Sequence, residues 1–355
     1  MKYKYLGNSK IKVSSICLGT MTFGEQSSIH ESYRMMDYAY EKGVNFFDTA
    51  EIYPVYPKRE TAGKTEEIIG DWIQTKKNRK KIIIATKIAS GHPKGVGATG
   101  LKWIRGGFKK LGFDKKNINE AIEGSLKRLK TDYIDLYQLH WPDRKANFFG
   151  KLCYEHHEEE DLIDIRKQLE VLDKFVKQGK IRLVGLSNET PWGLMKFISM
   201  SEEFKLPRVV SVQNPYSLLN RSYEVGMAEI SIRENCGLLA YSPLAFGMLT
   251  GKYDDGKLPS GARLTLFSDM YTRYTKEKGR NESKKFNYLA KESGLSPTDM
   301  ALAFVNSRDF VTSNIIGATN IEQLQQNINS FKINLDENII SEINKIHDKN
   351  PFPCP

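Results

Sequence analysis

Short apolar runs alternate with longer amphipathic stretches along nearly the whole chain. Eight of the runs have the length of a β-strand, and many are apolar at consecutive positions, as expected for strands covered on both faces. These runs are 14–19, 44–48, 81–87, 133–140, 182–187, 208–213, 237–242 and 313–318. Alternation of strands with helical stretches is typical of parallel βα units.

The amphipathic stretches between the runs carry helix-start patterns. Asn117 and Glu120 have the spacing of a capping box, and Ser296 precedes Pro297 as a cap precedes a first-turn proline. About eight βα units with no Pro-, Gly- or Ser-rich linker predict an α/β fold, a single (β/α)8 TIM barrel occupying residues 1–355 as one domain. A doubly wound sheet is the alternative.

Segments outside the βα units complete this picture. Residues 3–15, with turn residues at 7–9, predict an N-terminal hairpin that plugs the barrel floor. Three long connections, 88–116, 141–160 and 247–280, follow the third, fourth and seventh predicted strands. Such loops open at the C-terminal face of a barrel, so we expect them to wall a substrate pocket.

Composition and charge limit the location and the classes of partner that we expect for this protein. No apolar segment approaches the roughly 20 residues that span a bilayer, and the N-terminus lacks a signal-peptide pattern, which favours a cytoplasmic protein without a membrane partner. The 4 cysteines are scattered, so neither a metal site nor a disulfide framework is predicted. The net charge of +10 suits several anionic partners, but the lysines are dispersed. We interpret the basic run 75–81 as a solvated helix end and predict no nucleic-acid partner.

Polar residues interrupt the strand pattern at one end of several strands. Asp48 closes the second run, Lys87 the third and His140 the fourth, while Ser187 and Gln213 close the next two. In a parallel barrel these ends converge on one mouth, so the sequence predicts that Asp48, Lys87 and His140 are neighbours. Tyr53, on the loop after Asp48, can join them.

This combination suits carbonyl reduction, in which hydride reaches carbon and a proton reaches oxygen. A phenol with a pKa of about 10 is a weak acid, and a nearby Lys87 ammonium would lower the pKa of Tyr53. Asp48 would keep Lys87 charged, and His140 would donate a hydrogen bond to the substrate oxygen. Taken singly, the four residues also fit a turn, a snorkelling lysine, a core histidine and a surface aromatic; their joint position favours the active site.

Two further motifs point elsewhere but lack the right context. The stretch "GVGATG" at 95–100 matches G-x-G-x-x-G, yet it follows the third strand and precedes no clean helix, so we interpret it as a loop. The stretch "HHEEED" at 156–161 has no spacing that orients metal ligands, and a solvated loop is favoured.

Several longer motifs together are similar to one family. They include "FDTAEIYPV" at 47–55, "DLYQLHWP" at 135–142, "VQNPYSLLNR" at 212–221, "LAYSPLAFGMLTGKY" at 239–253 and "IIGATNIEQLQQN" at 315–327. With these the chain resembles the aldo-keto reductases over nearly its whole length, most closely the Tas-type NADP(H)-dependent members. The resemblance implies NADPH-dependent reduction of a small carbonyl compound, with Asp48, Tyr53, Lys87 and His140 as the catalytic tetrad and Tyr53 as general acid.

The resemblance also implies how NADP(H) would lie across the barrel mouth. Residues implied at the nicotinamide and its ribose are Thr20, Met21, Gln26, Asp48, Ser187, Asn188, Gln213 and Tyr241. Residues implied beside the pyrophosphate are Ser242, Pro243, Leu244, Ala245, Phe246, Gly247 and Leu249. Residues implied at the adenosine end are the cationic Lys252 and Arg263, together with Gly317, Thr319, Gln323, Gln326 and Asn327. The expectation of NADP over NAD depends on the family and on Arg263.

Other functions remain open at this point. A barrel that binds the cofactor as a regulatory redox sensor would turn over little, and the presence of His140 argues against it. A phosphate-handling barrel isomerase would not bind NADPH. Apolar and aromatic residues at 20–26 and 53–57, with Trp103 and Trp141, suggest apolar or aromatic carbonyl substrates. A homo-oligomer is possible, although no stretch of the sequence indicates an interface.

Overall fold

Eight parallel strands close into a barrel, and a two-stranded antiparallel hairpin precedes them. The computed structural model describes residues 1–90, 101–106, 111–147, 151–156, 163–267, 269 and 272–355. The strands are β1 (Tyr3–Tyr5), β2 (Lys12–Ser14), β3 (Ile16–Gly19), β4 (Phe46–Asp48), β5 (Ile83–Ile88), β6 (Ile134–Leu139), β7 (Ile181–Ser187), β8 (Val209–Pro215), β9 (Gly237–Tyr241) and β10 (Val311–Ile316). The barrel runs from β3 to β10 in sequence order, and β10 pairs with β3 to close it.

Helices pack around the barrel and bury their apolar faces against it. The described helices are α1 (Ile29–Glu41), α2 (Lys64–Lys76), α3 (Lys115–Leu129), α4 (Ile165–Lys177), α5 (Pro191–Glu203), α6 (Tyr223–Gly226), α7 (Ala228–Arg233), α8 (Arg263–Leu266), α9 (Thr272–Thr275), α10 (Glu277–Glu292), α11 (Pro297–Asn306), α12 (Ile321–Asn329) and α13 (Glu337–Lys349). Short 3₁₀ turns lie at Leu101–Gly106 and Ala245–Thr250.

The barrel prediction is confirmed, because each of the eight predicted runs overlaps one barrel strand. The alternative of a doubly wound sheet is wrong, since the sheet closes on itself. The strands are buried on both faces, β6 along its whole length. That two-sided burial is the physical reason for the consecutive apolar positions in the sequence.

The N-terminal hairpin seals the floor of the barrel, as predicted. β1 and β2 pair antiparallel with Lys4 opposite Val13. Leu6 and Val13 are fully buried and pack against the interior residues Phe46 and Leu136. The floor is therefore a continuous apolar layer.

One of the two predicted helix starts is correct. Ser296 caps α11 by accepting a hydrogen bond from the Asp299 amide, with Pro297 in the first turn. The prediction at Asn117 is wrong, because α3 begins at Lys115 and the side chain of Asp114 caps it. Asn117 lies inside the first helical turn and is buried.

The basic run 75–81 ends α2 at Lys76, but not all of it is solvated. Asn78 is buried and Arg79 forms an ion pair of 2.8 Å with the buried Asp135, so the interpretation of this run as a solvated end is wrong for these two residues. Residues 95–100, which carry "GVGATG", lie outside the described residues, as does 157–161 of "HHEEED". Within the described ranges, the helices are too short or too polar to cross a bilayer.

Candidate active site

The polar residues at the strand ends meet at the mouth of the barrel. Asp48 is the last residue of β4, Lys87 is the penultimate residue of β5, and His140 directly follows β6. In the parallel register Asp48 lies opposite Ala85 of β5, and Lys87 lies opposite Gln138 of β6. The exposed fractions of Asp48, Lys87 and His140 are 3%, 0% and 8%, so three ionisable groups share a nearly dry site.

Asp48 and Lys87 form a buried ion pair at the centre of this site. Lys87 Nζ lies 2.7 Å from Asp48 Oδ2 and donates a second hydrogen bond of 2.8 Å to the Thr49 carbonyl. Burial favours the neutral amine, but Asp48 and Tyr53 outweigh it and raise the pKa of Lys87. Lys87 is therefore an ammonium at neutral pH.

Two glutamines hold the other oxygen of the carboxylate. Gln213 Nε2 donates to Asp48 Oδ1 at 2.8 Å, and Gln138 Nε2 donates to the same atom at 3.3 Å. Both side chains are buried. These bonds orient the carboxylate, and they place Gln213, predicted to contact the cofactor, beside the ion pair. Gln138 was missed, although its position two residues before His140 puts it on the same side of the strand ends.

Tyr53 lies on the loop after β4, with its ring over the ammonium. Lys87 Nζ is 4.9 Å from the Tyr53 ring centroid. Burial raises the pKa of Tyr53, Lys87 opposes that rise, and Asp48 adds to it. The predicted net lowering of the Tyr53 pKa is therefore wrong, because desolvation outweighs the lysine. The phenol is held in its protonated form, which can donate a proton.

His140 is a neutral imidazole. Burial and the positive charge of Lys87 both hold the pKa of His140 well below its usual range. Its ring lies 5.8 Å from that of Tyr53, edge to face, and 4.5 Å from that of Trp141. Within the part of the chain that the structure describes, His140 Nδ1 and Trp141 Nε1 are buried without hydrogen-bond partners. Unpaired buried polar atoms of this kind suit a site that binds a polar ligand.

The residues predicted to hold the nicotinamide form a hydrogen-bonded chain next to His140. Asn188 Nδ2 donates to the His140 carbonyl at 2.8 Å, and the Tyr241 hydroxyl donates to Asn188 Oδ1 at 2.6 Å. Ser187 Oγ donates to the Gln213 carbonyl at 2.9 Å. The ends of β6, β7, β8 and β9 are thereby tied together on one side of the mouth.

The residues predicted after β3 lie beside the end of β4. Thr20 Oγ1 donates to the Asp48 carbonyl at 2.8 Å. Met21 packs on an apolar cluster that includes Tyr53 and Trp141, with Trp103 at its edge. Gln26 is half-buried and its amide donates to the Thr22 carbonyl at 3.0 Å, inside its own turn. Met21, Trp103 and Trp141 are thus part of an apolar wall that extends from the loop after β3 to the loop after β6.

The loop after β9 winds through left-handed backbone beside two cations. Ser242, Ala245, Phe246 and Gly247 have φ of 55°, 47°, 55° and 99°. A Cβ on Gly247 would lie 2.9 Å from Lys252 Nζ, so the backbone there closes directly on that amine. Among the residues predicted for the pyrophosphate, Pro243 and Leu249 are buried and Leu244 is half-buried.

Lys252 and Arg263 lie close enough for their charges to interact. Burial and the positive charge of Arg263 lower the pKa of Lys252. Arg263 Cζ also lies 5.0 Å from the Phe246 ring. Two neighbouring cations beside turns of this kind form a donor set that fits a phosphate group.

The adenosine-end residues predicted near α12 are brought together with one exception. Asn327 Nδ2 donates to the Gly317 carbonyl at 3.0 Å, and the Thr319 amide donates to Gln323 Oε1 at 3.1 Å. Gln326 turns instead toward the start of α11, where Nε2 donates to Ser296 Oγ at 2.8 Å.

A cavity of about 230 Å³ adjoins the mouth without reaching Lys87. It lies between α4 and α5, and Trp141, Ser187, Glu189 and Trp192 are among its lining residues. Within the described ranges, no three His, Cys, Asp or Glu side chains gather as metal ligands would. Sequence reasoning also missed the buried Glu51–Arg105 ion pair beside Tyr53, since no spacing rule links these two residues.

A family model and several known proteins match this chain over most of its length. The model of the Aldo/keto reductase family matches residues 15–348. Protein tas of Escherichia coli (strain K12) is 45% identical over 355 residues, covering 100% of both chains. Uncharacterized oxidoreductase YrpG of Bacillus subtilis (strain 168) is 35% identical over 356 residues, covering 100% of this chain and 97% of its own. An aldo-keto reductase of Babesia bovis is 39% identical over 285 residues, covering 76% of this chain and 96% of its own.

Proposed function

Because the chain belongs to the aldo/keto reductase family, we propose that it reduces aldehydes or ketones to alcohols with NADPH. Oxidoreductase chemistry with a nicotinamide cofactor follows from the family, and we infer that the cofactor is NADPH. Tyr53 is the general acid, Lys87 and Asp48 tune it, and His140 orients the carbonyl.

The observation that carries this proposal is the buried contact of the Tyr53 ring with Lys87. The ammonium, fixed 2.7 Å from Asp48, gives the phenol a permanent positive neighbour in a site of low dielectric. When bound, the nicotinamide cofactor supplies hydride. Tyr53 then delivers the proton to the oxygen, and the charge of Lys87 stabilises the phenolate left behind. The neutral His140 donates a hydrogen bond to the same oxygen.

The preference for NADPH over NADH is supported by Lys252 and Arg263. Burial and, after it, the positive charge of Arg263 lower the pKa of Lys252, and an anionic phosphate between the two cations would relieve their repulsion. The apolar wall of Met21, Trp103 and Trp141 supports a substrate whose carbonyl carries an apolar or aromatic group.

The test separates binding from turnover. NADPH and NADH are titrated by fluorescence, and NADPH oxidation is then followed with a panel of aliphatic and aromatic aldehydes. We expect Tyr53→Phe to bind NADPH like the parent and to lose about 100-fold to 10,000-fold in kcat, as for a missing general acid. Tyr288→Phe, which alters an exposed tyrosine on α10, is the matched control and should keep full activity.

The other outcomes point to other functions. Equal rates for the parent and Tyr53→Phe would remove Tyr53 from the mechanism. NADPH binding without turnover of any aldehyde would favour the regulatory barrel, and absence of NADPH binding would favour the isomerase. Lys252→Met and Arg263→Met should weaken NADPH binding and leave NADH binding unchanged; equal losses for both would contradict the NADP preference.

A further inference from the structure

Glu51 lies inside the loop that carries Tyr53 and grips the neighbouring strand. Its exposed fraction is 4%. Its amide donates to the Lys87 carbonyl at 3.2 Å, and its Oε1 accepts from the Ala89 amide at 2.7 Å. Glu51 therefore binds β5 and its continuation on both sides of Ile88, next to the residue that supplies the ammonium.

Arg105, from the segment Leu101–Gly106, binds both Glu51 and Ala89. Its Nη1 forms an ion pair with Glu51 Oε1. Its Nη2 donates to the Ala89 carbonyl at 3.1 Å and to Asn117 Oδ1, on α3, at 3.0 Å. The amide of Ala89 is thus held by Glu51 and its carbonyl by Arg105. Three separate parts of the chain meet at one residue, Ala89, two positions beyond Lys87.

The pair is buried, with side-chain exposures of 4% and 2% for Arg105 and Glu51. Buried ion pairs gain little net stability, because desolvation offsets their attraction. The pair therefore adds little to the free energy of unfolding, and we attribute its presence to the backbone geometry that it holds. The backbone of Tyr53 is held by bonds to Ala50 and Gly63 of its own loop region, at 3.0 and 2.9 Å. Those bonds do not tie the loop to β5.

We propose that the Glu51–Arg105 pair is a positioning clamp that fixes the Tyr53 loop against the end of β5 and so sets the distance between the Tyr53 hydroxyl and Lys87 Nζ. The catalytic consequence rests on the proposed function, in which Tyr53 is the acid. The geometric consequence does not depend on it.

The charged surroundings give the expected sign. Glu51 is faced by Arg105, by Arg128 of α3 and by Glu66 of α2, whereas Tyr53 is faced by Lys87, Asp48 and Arg263. Of the groups around Tyr53, Lys87 makes the largest contribution that lowers the pKa of the phenol. Burial raises the pKa of Tyr53 more than Lys87 lowers it, and the ring packs in an apolar cluster with Ile52 and Trp141. A loop released from β5 with its ring still in that cluster keeps the burial and loses part of the effect of Lys87, so Tyr53 should titrate at a higher pH than in the parent.

The experiment places a single fluorotyrosine at position 53 of the full chain and follows its fluorine NMR signal against pH without cofactor or substrate. The variants are Glu51→Gln, which keeps an acceptor for Ala89, Arg105→Met, and Arg105→Lys, which keeps a cation but not the fork of donors. We expect the titration midpoint to rise by about one pH unit in Arg105→Met, and by less in Arg105→Lys. In unlabelled variants, kcat should fall about 10-fold to 100-fold with KM changed less than about 3-fold.

Arg208→Met is the matched control. Arg208 pairs with Glu234 at 2.6 Å just before β8, at the opposite end of the barrel, so its loss removes an arginine–glutamate pair without touching Tyr53. The Tyr53 signal should not change in this variant. If Arg105→Met does not fold, Arg105→Lys decides the question.

An unchanged Tyr53 signal in the folded Arg105 variants, or an equal change in the Arg208 variant, would overturn the clamp. The proposed function fails differently. If the parent reduces no carbonyl while the signal still moves in the Arg105 variants, the clamp stands and the reductase assignment falls.

Discussion

The barrel interior contains two adjacent layers of side chains with opposite chemistry. Ala85 and Leu136 belong to the floor layer, which packs against the N-terminal hairpin. Two residues further along the same strands, Lys87 and Gln138 belong to the mouth layer and surround Asp48. All of these residues are almost fully buried, so burial alone does not distinguish the layers.

The difference shows what each layer requires. The floor needs only apolar area and close packing. The mouth needs a partner for every charged atom: Lys87 Nζ has Asp48 and the Thr49 carbonyl, and Asp48 Oδ1 has two glutamine amides. Since a buried ion pair seldom stabilises a fold more than an apolar pair of the same volume, we infer that the mouth layer is maintained for chemistry and the floor layer for stability.

The largest effect is expected when the charged residues of the mouth layer are replaced by apolar ones, as in the floor layer. Asp48→Leu alone leaves the Lys87 ammonium buried without its carboxylate, and we expect a loss of about 3 to 5 kcal/mol in the free energy of unfolding. Asp48→Leu combined with Lys87→Met removes both charges, and the double variant should recover most of that loss. Both proteins should lack reductase activity. The measurements are urea denaturation and NADPH oxidation.

The stability of the double variant decides whether the two layers differ in role. If it were as unstable as Asp48→Leu, the mouth layer would be a stability element like the floor, and the distinction between the layers would be wrong. Lys87→Met alone serves as the reciprocal control, because it leaves the carboxylate unpaired instead of the ammonium.

A substitution in the floor should show the reverse pattern. Leu136→Ala removes a fully buried side chain beneath the mouth, and we expect a loss of about 3 kcal/mol in the free energy of unfolding. Because Leu136 packs in the floor layer with Phe46 and Ala85, kcat and KM should stay within about 2-fold of the parent once the protein is folded. A large fall in kcat with an intact fold would show that the floor positions the mouth residues.

The two layers also differ in how well the sequence predicts them. Apolar periodicity predicts all eight barrel strands, because both faces of each strand are buried. The strand-end rule predicts that Asp48, Lys87 and His140 meet, since parallel strands deliver their ends to one mouth. Neither statement needs a distance between side chains.

What sequence reasoning missed depends on such distances. The net pKa of Tyr53 was predicted with the wrong sign, because desolvation depends on how deeply the ring is buried. Arg105 reaches Glu51 from 54 positions away, and Arg105 itself has a left-handed backbone with φ of 52°, which no pattern in the sequence predicts. The cap of α3 lies three residues before the predicted Asn117, a shift that local propensity does not resolve.

The smallest predicted effect distinguishes the layers by pH. The folded pKa of His140 is held well below about 6.5, while the unfolded chain binds a proton there normally. The contribution of neutral His140 to stability is therefore complete above about pH 6.5 and is lost as the pH falls toward the folded pKa. The slope approaches 1.4 kcal/mol per pH unit, that is, about one proton.

His140→Phe should not show this loss, so the difference in unfolding free energy between parent and variant should change by about 1 kcal/mol between about pH 7 and pH 5.5. His347, whose pKa is also lowered by burial, is present in both proteins and cancels. The same comparison for Leu136→Ala should be flat with pH, because no proton is bound or released in the floor. A flat His140 profile would mean that the imidazole reaches water, and the mouth would then be less dry than the floor.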